Sequence, residues 1–276
     1  MVRVRFSFGS RHTGHIENIR KQRKKYPDVV EEVIQKSDII LEVLDCRFIE
    51  ETRNKEIEQY IKQKQKKIIY VLNKCDLVDK NELEKTIKIK PYSFISCVKR
   101  FGSVNLRNLI KRIISGFDYK EKYFVGIIGY PNTGKSSLIN FLVGHTASGV
   151  GNEAGFTKGL QKVKMTNNIF ILDTPGVISE KEYSMSNNDK ISKQVKLGAK
   201  SYNRIKDPEI AVQRLINDYK NKITDHYGIE FNEDGDIFLE ELGRKLGFLK
   251  KGAEINTDMA ARYVLKDWQN AKIKIN

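Results

Sequence analysis

The chain has 276 residues, 39% of them hydrophobic, and carries 50 Lys and Arg against 35 Asp and Glu for a formal net charge of +15. That length accommodates one full α/β-sized domain and a smaller second unit, and the apolar runs exclude a disordered chain. No stretch approaches the roughly 20 apolar residues of a membrane span, and three cysteines without a Cys-x-x-Cys pair exclude a disulfide framework or a zinc ribbon.

A helix is predicted from about His15 to Lys36, with a kink at Pro27. The positive N-terminal segment has no apolar core after it, so a secretory signal is not expected, and a reducing, cytoplasmic setting fits the cysteines. A buried strand then ends at Asp45, a helix from about Arg53 to Gln65 follows, and a second strand ends at Asn73. A helix near Glu82–Ile87, a strand at Tyr92–Ile95 and a helix at Val104–Ile114 complete the first half. Polar residues Ser115–Lys122 join it to a strand at Tyr123–Ile128 and a helix at Lys135–Leu142. The glycine-rich segment Gly144–Gly159 is predicted as a mobile loop, followed by strands near Leu160–Met165 and Ile169–Leu172. Six strands with intervening helices predict a three-layer α/β fold with a mostly parallel sheet over residues 1–180. Polar Ser179–Lys190 reads as a linker, and residues 191–276 carry only helix signals, among them the Asp207-Pro208 start and a last helix capped by Thr257 with Ala261, Val264, Leu265 and Trp268 on one face.

Four short motifs point to one ligand. Gly129-Tyr-Pro-Asn-Thr-Gly134-Lys135-Ser136 follows an apolar strand and opens a helix, the setting of a phosphate loop. Backbone N–H groups of Asn132, Thr133, Gly134, Lys135, Ser136 and Ser137 and the helix N-terminus would cradle phosphates. Lys135 would reach the β and γ oxygens, and the Ser136 hydroxyl would ligate Mg²⁺. Asp173-Thr-Pro-Gly176 ends a second apolar strand, with Asp173 placed for the Mg²⁺ shell and the Gly176 N–H for the γ-phosphate. Thr157 in Gly155-Phe-Thr157 is the best candidate for a threonine that joins Mg²⁺ only with γ-phosphate present, although Thr146 and Ser148 share its loop. Asn73-Lys74-Cys75-Asp76 selects the base: an ionised Asp76 accepts from guanine N1–H and the exocyclic amine, donors that adenine lacks, a difference of about 1–3 kcal/mol or more. Ser96-Cys97 would close over that base. The base-reading tetrad precedes the phosphate loop, the reverse of the usual order, so the chain reads as a circularly permuted P-loop GTPase followed by a small all-α unit.

The residue after Gly176 is Val177, where a Ras-type enzyme has a water-orienting Gln. Unassisted hydrolysis should therefore be slow, and a protein that only binds GTP is the alternative. Restoring the usual strand order puts the Asp173 strand just before the helix that begins near His15, which brings this histidine toward the γ-phosphate; a lone surface histidine is the commoner case. Asn132 has a carbonyl that can ligate a monovalent cation such as K⁺ beside the phosphates, or it simply shapes the loop.

These motifs, with Gly14-His15, Leu44-Asp45-Cys46-Arg47, Arg53-Asn54 and the tail Lys251-Gly-Ala-Glu254 to Leu265-Lys-Asp267, resemble the circularly permuted ribosome-assembly GTPases, specifically the ribosome-biogenesis GTPase A subfamily. Cys46 and Ala253 depart from its pattern, as does the absence of a proline after Phe48. The resemblance implies a factor for the large ribosomal subunit that binds rRNA, with hydrolysis stimulated by the particle. It also implies catalysis through His15 and a role for K⁺. The net charge fits a polyanionic partner, with Arg214, Lys220, Lys222, Arg244, Lys245, Lys250, Lys251 and Arg262 as candidate phosphate contacts.

Overall fold

The computed structural model describes residues 28–144, 161–174, 186–231 and 234–275. His15, Thr157 and Gly176 lie outside them, as do nearly all of the glycine-rich segment and the first half of the predicted N-terminal helix. Six strands form one sheet in the order β3-β2-β1-β4-β6-β5. Five are parallel, and only β5 (Gln161–Lys164) runs antiparallel to its neighbour β6 (Ile169–Asp173). β1 (Ile39–Asp45) is buried along its whole length and pairs with both β2 (Lys67–Asn73) and β4 (Tyr123–Gly129), while β3 (Tyr92–Phe94) closes the other edge.

Alternation along these strands makes three layers. Leu41, Val43, Val71, Val125 and Ile127 face one way, against Leu106 and Ile110 of one helix (α5, Ser103–Ile114) and Leu138 and Leu142 of another (α6, Lys135–Val143). Ile40 and Ile128 face the other way, against Val30 and Ile34 of α1 (Asp28–Lys36) and Ile57 and Ile61 of α3 (Lys55–Gln63). Gly126 allows α1 to lie close on β4: a Cβ there would stand 2.5 Å from Ser37 Oγ and 2.7 Å from Val33 Cγ1.

The helix predicted from about Arg53 to Gln65 is α3, and a short helix not predicted, α2 (Ile49–Thr52), precedes it. Arg53 between them is extended (ψ 144°), its guanidinium held by Glu50 on one side and Glu58 on the other, and Asn54 caps α3 by accepting from Ile57 N. The helix predicted near Glu82 is α4, Lys80–Thr86.

Among the described residues from 186 to 275, helices are the regular structure apart from an isolated bridge between Leu249 and Ile255. α7 (Asn187–Lys196), α8 (Pro208–Tyr227), α9 (Gly235–Leu246) and α10 (Thr257–Gln269) pack around Val212, Leu215, Phe238, Leu242, Val264 and Trp268. The predicted linker runs too far, since residues 187–190 already belong to α7. Ser186 starts that helix by accepting from Asp189 N and donating to Asp189 Oδ2, a local bond pair that outweighs the polarity of the segment. The cap of α10 is Asn256 rather than Thr257: its Oδ1 accepts from Met259 N at 3.1 Å. Ala261, Val264, Leu265 and Trp268 are buried on one face as predicted. Phe48 and Tyr130 of the α/β part are buried in the same cluster as this helical core, so the two parts share packing.

Candidate functional site

Parallel strands of an α/β sheet present their carboxyl ends to one edge, and ligands bind where the connections diverge. Here Asp45, Asn73, Gly129 and Asp173 end β1, β2, β4 and β6 on that edge. β4 lies between β1 and β6, so its outgoing loop sits at the divergence.

That loop is wound by positive φ at Gly129 (152°), Asn132 (61°) and Gly134 (98°). Thr133 is buried and pins it, donating from Oγ1 to Tyr130 O at 2.9 Å. Gly134 is the cap residue of α6, and a Cβ on it would fall 2.2 Å from Asn73 Nδ2. The same Asn73 Nδ2 donates to Thr133 O at 2.8 Å, which joins the tetrad expected to read the base to the loop expected to hold phosphates across 60 residues of chain.

Lys135 is buried, its Nζ donating to Gly129 O (3.1 Å) and Tyr130 O (3.0 Å). Burial lowers its pKa to about 8, with Asp173 acting in the opposite sense. Ser136 and Ser137 are exposed in the first turn of α6. Asp173 pairs with Ile127 in register, beside the start of the loop, and burial raises its pKa while Lys135 and the Thr174 amide pull it down. Its Oδ1 is buried with no hydrogen-bond partner. Thr174 Oγ1 donates to Ile127 O at 2.7 Å and fixes the chain just beyond.

In the loop after β2, Lys74 takes a left-handed conformation (φ 61°) and Asp76 is exposed on the 3-10 turn Cys75–Leu77. Asn73 Oδ1 is buried without a partner, and Cys75 N donates to Ile95 O at 3.1 Å. Ser96 is buried, bridged to Phe101 and accepting at Oγ from Lys99 N, while half-buried Cys97 has its thiol pushed up to about 11 by burial and the charge of Asp76. The structure thus gathers Asn73, Lys74, Asp76, Ser96 and Cys97 on the loops leaving β2 and β3, and Asn132 to Ser137 and Asp173 around β4.

Sequence reasoning did not anticipate three features. Asp45 is 2% exposed and bonds both Arg47 and Lys74; a lone acid ending a buried strand was its visible signal. Tyr130 turns out of the phosphate loop into the helical core, with Lys193 Nζ 5.6 Å over its ring. Asn132 Nδ2 donates to Gly198 O, a contact with no local signature. Among the basic residues considered for phosphate contact, Arg262 is engaged by Asp258 and by the carbonyls of Tyr202 and Ile205, Arg214 by Asp189 and Ser192, and Lys245 by Tyr227 O. These three bind within the helical part; Lys222, Arg244, Lys250 and Lys251 are exposed.

The family described as 50S ribosome-binding GTPase matches residues 124–234. GTP-binding protein MJ1464 of Methanocaldococcus jannaschii is 39% identical over 91% of this chain and 67% of its own length. Nuclear GTP-binding protein NUG1 of Saccharomyces cerevisiae is 33% identical over 92% of this chain, and a guanine nucleotide-binding protein-like 3 homolog of Caenorhabditis elegans is 31% identical over 92%. The chain spans only 56% and 50% of these two eukaryotic relatives. Among solved structures, GNP-bound YlqF from T. maritima superposes with a TM-score of 0.60 at 25% identity, covering 88% of this chain and 92% of that one.

Proposed function

The chain belongs to the circularly permuted GTPases of the YlqF and MJ1464 type, and from that premise we propose that it is an assembly factor for the large ribosomal subunit, binding rRNA with GTP and leaving on hydrolysis. The supporting observation is the sheet itself. Asn73 precedes the phosphate loop in sequence yet bonds it in space, and among the described residues no other strand lies between the one that ends at Asp173 and the helical part. A segment ordered by γ-phosphate beside Gly176 would therefore act on the helices directly.

In this reading Lys135 and the loop amides hold the phosphates, and Asp76 and Asn73 read guanine, with Ser96 and Cys97 beside the base. The residues fit Mg²⁺, because Asp173 carries a buried carboxylate oxygen without a partner and Ser136 opens the adjacent helix. Ser136 and Asp173 would hold the ion, joined by Thr157. Bound there, the ion neutralises charge on the β and γ oxygens. Asn132 would offer Oδ1 to K⁺, its amide nitrogen being taken by Gly198 O. Gly176 N–H meets the γ-phosphate and His15 orients the attacking water, a role that Val177 cannot perform. Hydrolysis is slow alone and stimulated by the particle.

The experiment is sedimentation of the chain with large ribosomal subunits in GDP and in a non-hydrolysable GTP analogue. Co-sedimentation favoured by the analogue supports the proposal; equal or absent binding in both contradicts it. Val177 favours one rival, a GTP-dependent RNA scaffold without catalysis. His15→Ala separates the two: it abolishes stimulated turnover and spares GTP binding in the first case, and changes nothing measurable in the second.

A further inference from the structure

The carboxylate of Asp45 serves two groups that lead in different directions. Oδ2 accepts from Lys74 Nζ at 2.7 Å and from Arg47 Nη2 at 2.8 Å; Oδ1 accepts from Arg47 Nε at 3.0 Å and from Arg47 N at 3.1 Å. Burial opposes its ionisation, yet Arg47 and Lys74 hold it below the usual carboxylate range. The backbone adds to the attachment. Asp45 and Asn73 are register partners, and Cys46 N donates to Asn73 O at 2.9 Å.

Toward the base, Asp45 fixes Lys74, a non-glycine residue at φ 61°. Such a conformation is sparsely populated and persists only when its surroundings hold it. Toward the helices, the Arg47 guanidinium lies 5.1 Å over the ring of Phe48, which is 2% exposed and 6.2 Å from the ring of Trp268. Lys196 closes this junction. Its Nζ stands 5.6 Å over Phe48 and 3.6 Å from Glu51, and its carbonyl accepts from Trp268 Nε1 at 2.9 Å. A continuous chain of ionic and ring contacts therefore runs from the base-reading tetrad to the core of the helical part.

We propose that Asp45 is a positioning residue for guanine recognition, and that Arg47 and Phe48 carry base occupancy from it to the helical core at Trp268. The proposal rests on reading Asn73 to Asp76 as the guanine site. This route is independent of the segment after Asp173, because it starts from the base rather than from γ-phosphate, so GDP alone engages it.

Trp268 is the single tryptophan of the sequence, so its emission reports the junction directly. The test titrates GDP and, separately, pyrophosphate against the unmodified chain, Asp45→Asn and Phe48→Leu, following Trp268 emission and the affinity by calorimetry. In the unmodified chain GDP shifts the emission and pyrophosphate does not. Asp45→Asn loses the charge that anchors Lys74, so GDP binds roughly ten- to a hundredfold more weakly. Its pyrophosphate affinity is unchanged, a split that a general loss of structure does not produce. Phe48→Leu keeps GDP affinity and loses the emission shift. Equal GDP affinity in Asp45→Asn, or an intact shift in Phe48→Leu, overturns the proposal. Failure of the unmodified chain to bind GDP overturns the guanine-site reading instead. If Asp45→Asn does not fold, Asp45→Ser, which removes the same charge from a smaller side chain, takes its place with the same expected split and the same refuting result.

Discussion

Glu42 sits in the middle of β1 with no access to solvent, and replacing it with glutamine makes stability less dependent on pH. Its Oε1 accepts from Asn54 N at 2.9 Å, and Oε2 is buried with no partner. The nearby Glu58 carboxylate works against burial but stays ionised, because Arg53 donates to it twice at 2.8 Å and Tyr70 once at 2.9 Å. Burial first, and then the charge of Glu58, raise Glu42 from an ordinary 4.5 to about 8. A carboxyl with a raised pKa in the fold contributes stability that is full below about 4.5 and lost as pH rises toward about 8. Between those values the folded chain holds one more proton than the unfolded chain. The slope is then at most about 1.4 kcal/mol per pH unit. Glu58, held low, changes its contribution only in the acid range, so pH 5.5 to 7.5 isolates Glu42. Glu42→Gln fixes the neutral form and keeps an acceptor for Asn54 N. Urea unfolding at pH 5.5, 6.5 and 7.5 should show the difference between the two chains moving in favour of Gln by roughly 2–3 kcal/mol across the range. Parallel profiles would refute the reasoning, since they would mean that Glu42 is ionised in the fold.

Gly134→Ala places a methyl where Asn73 Nδ2 lies, at a φ of 98°; backbone strain of about 1–3 kcal/mol and the loss of the Asn73–Thr133 bond should weaken GDP binding more than tenfold by calorimetry. Unchanged affinity would show that the loop and the tetrad are not coupled. Lys135 titrates near 8 because it is buried, and phosphate charge beside it stabilises the ammonium, so binding takes up a proton above that pH. GTP affinity should therefore be flat up to about pH 7, fall about twofold by pH 8 and weaken toward about tenfold per unit above it; a flat profile to pH 9 contradicts this.

The strand ends that carry the proposed phosphate loop and guanine tetrad were legible because each is a short run in which a buried strand stops and its exit loop begins, as at Gly129, Asn73 and Asp173. The permuted order followed from their sequence positions, and the strand order agrees with it. Features formed between distant segments were not legible. Asn132 reaching Gly198, Tyr130 turning into the helical core and Phe48 meeting Trp268 depend on a packing that no local pattern encodes. Errors in the helical part were errors of capping. Polarity around Ser186 concealed a helix start, and Asn256 won the cap over Thr257 because its carbonyl oxygen reaches the free Met259 amide. Asp45 was visible as part of a signature, but its bond to Lys74 spans 29 residues and needed the sheet register to appear.

The most direct test of the account is GTP turnover with and without purified large ribosomal subunits, in K⁺ and in Na⁺ at matched ionic strength. Stimulation by subunits, larger in K⁺ than in Na⁺, is the expected result. Equal stimulation in both salts would remove the cation role of Asn132 and leave the rest standing. GTP bound but no stimulation under any condition would contradict an assembly GTPase and favour the scaffold.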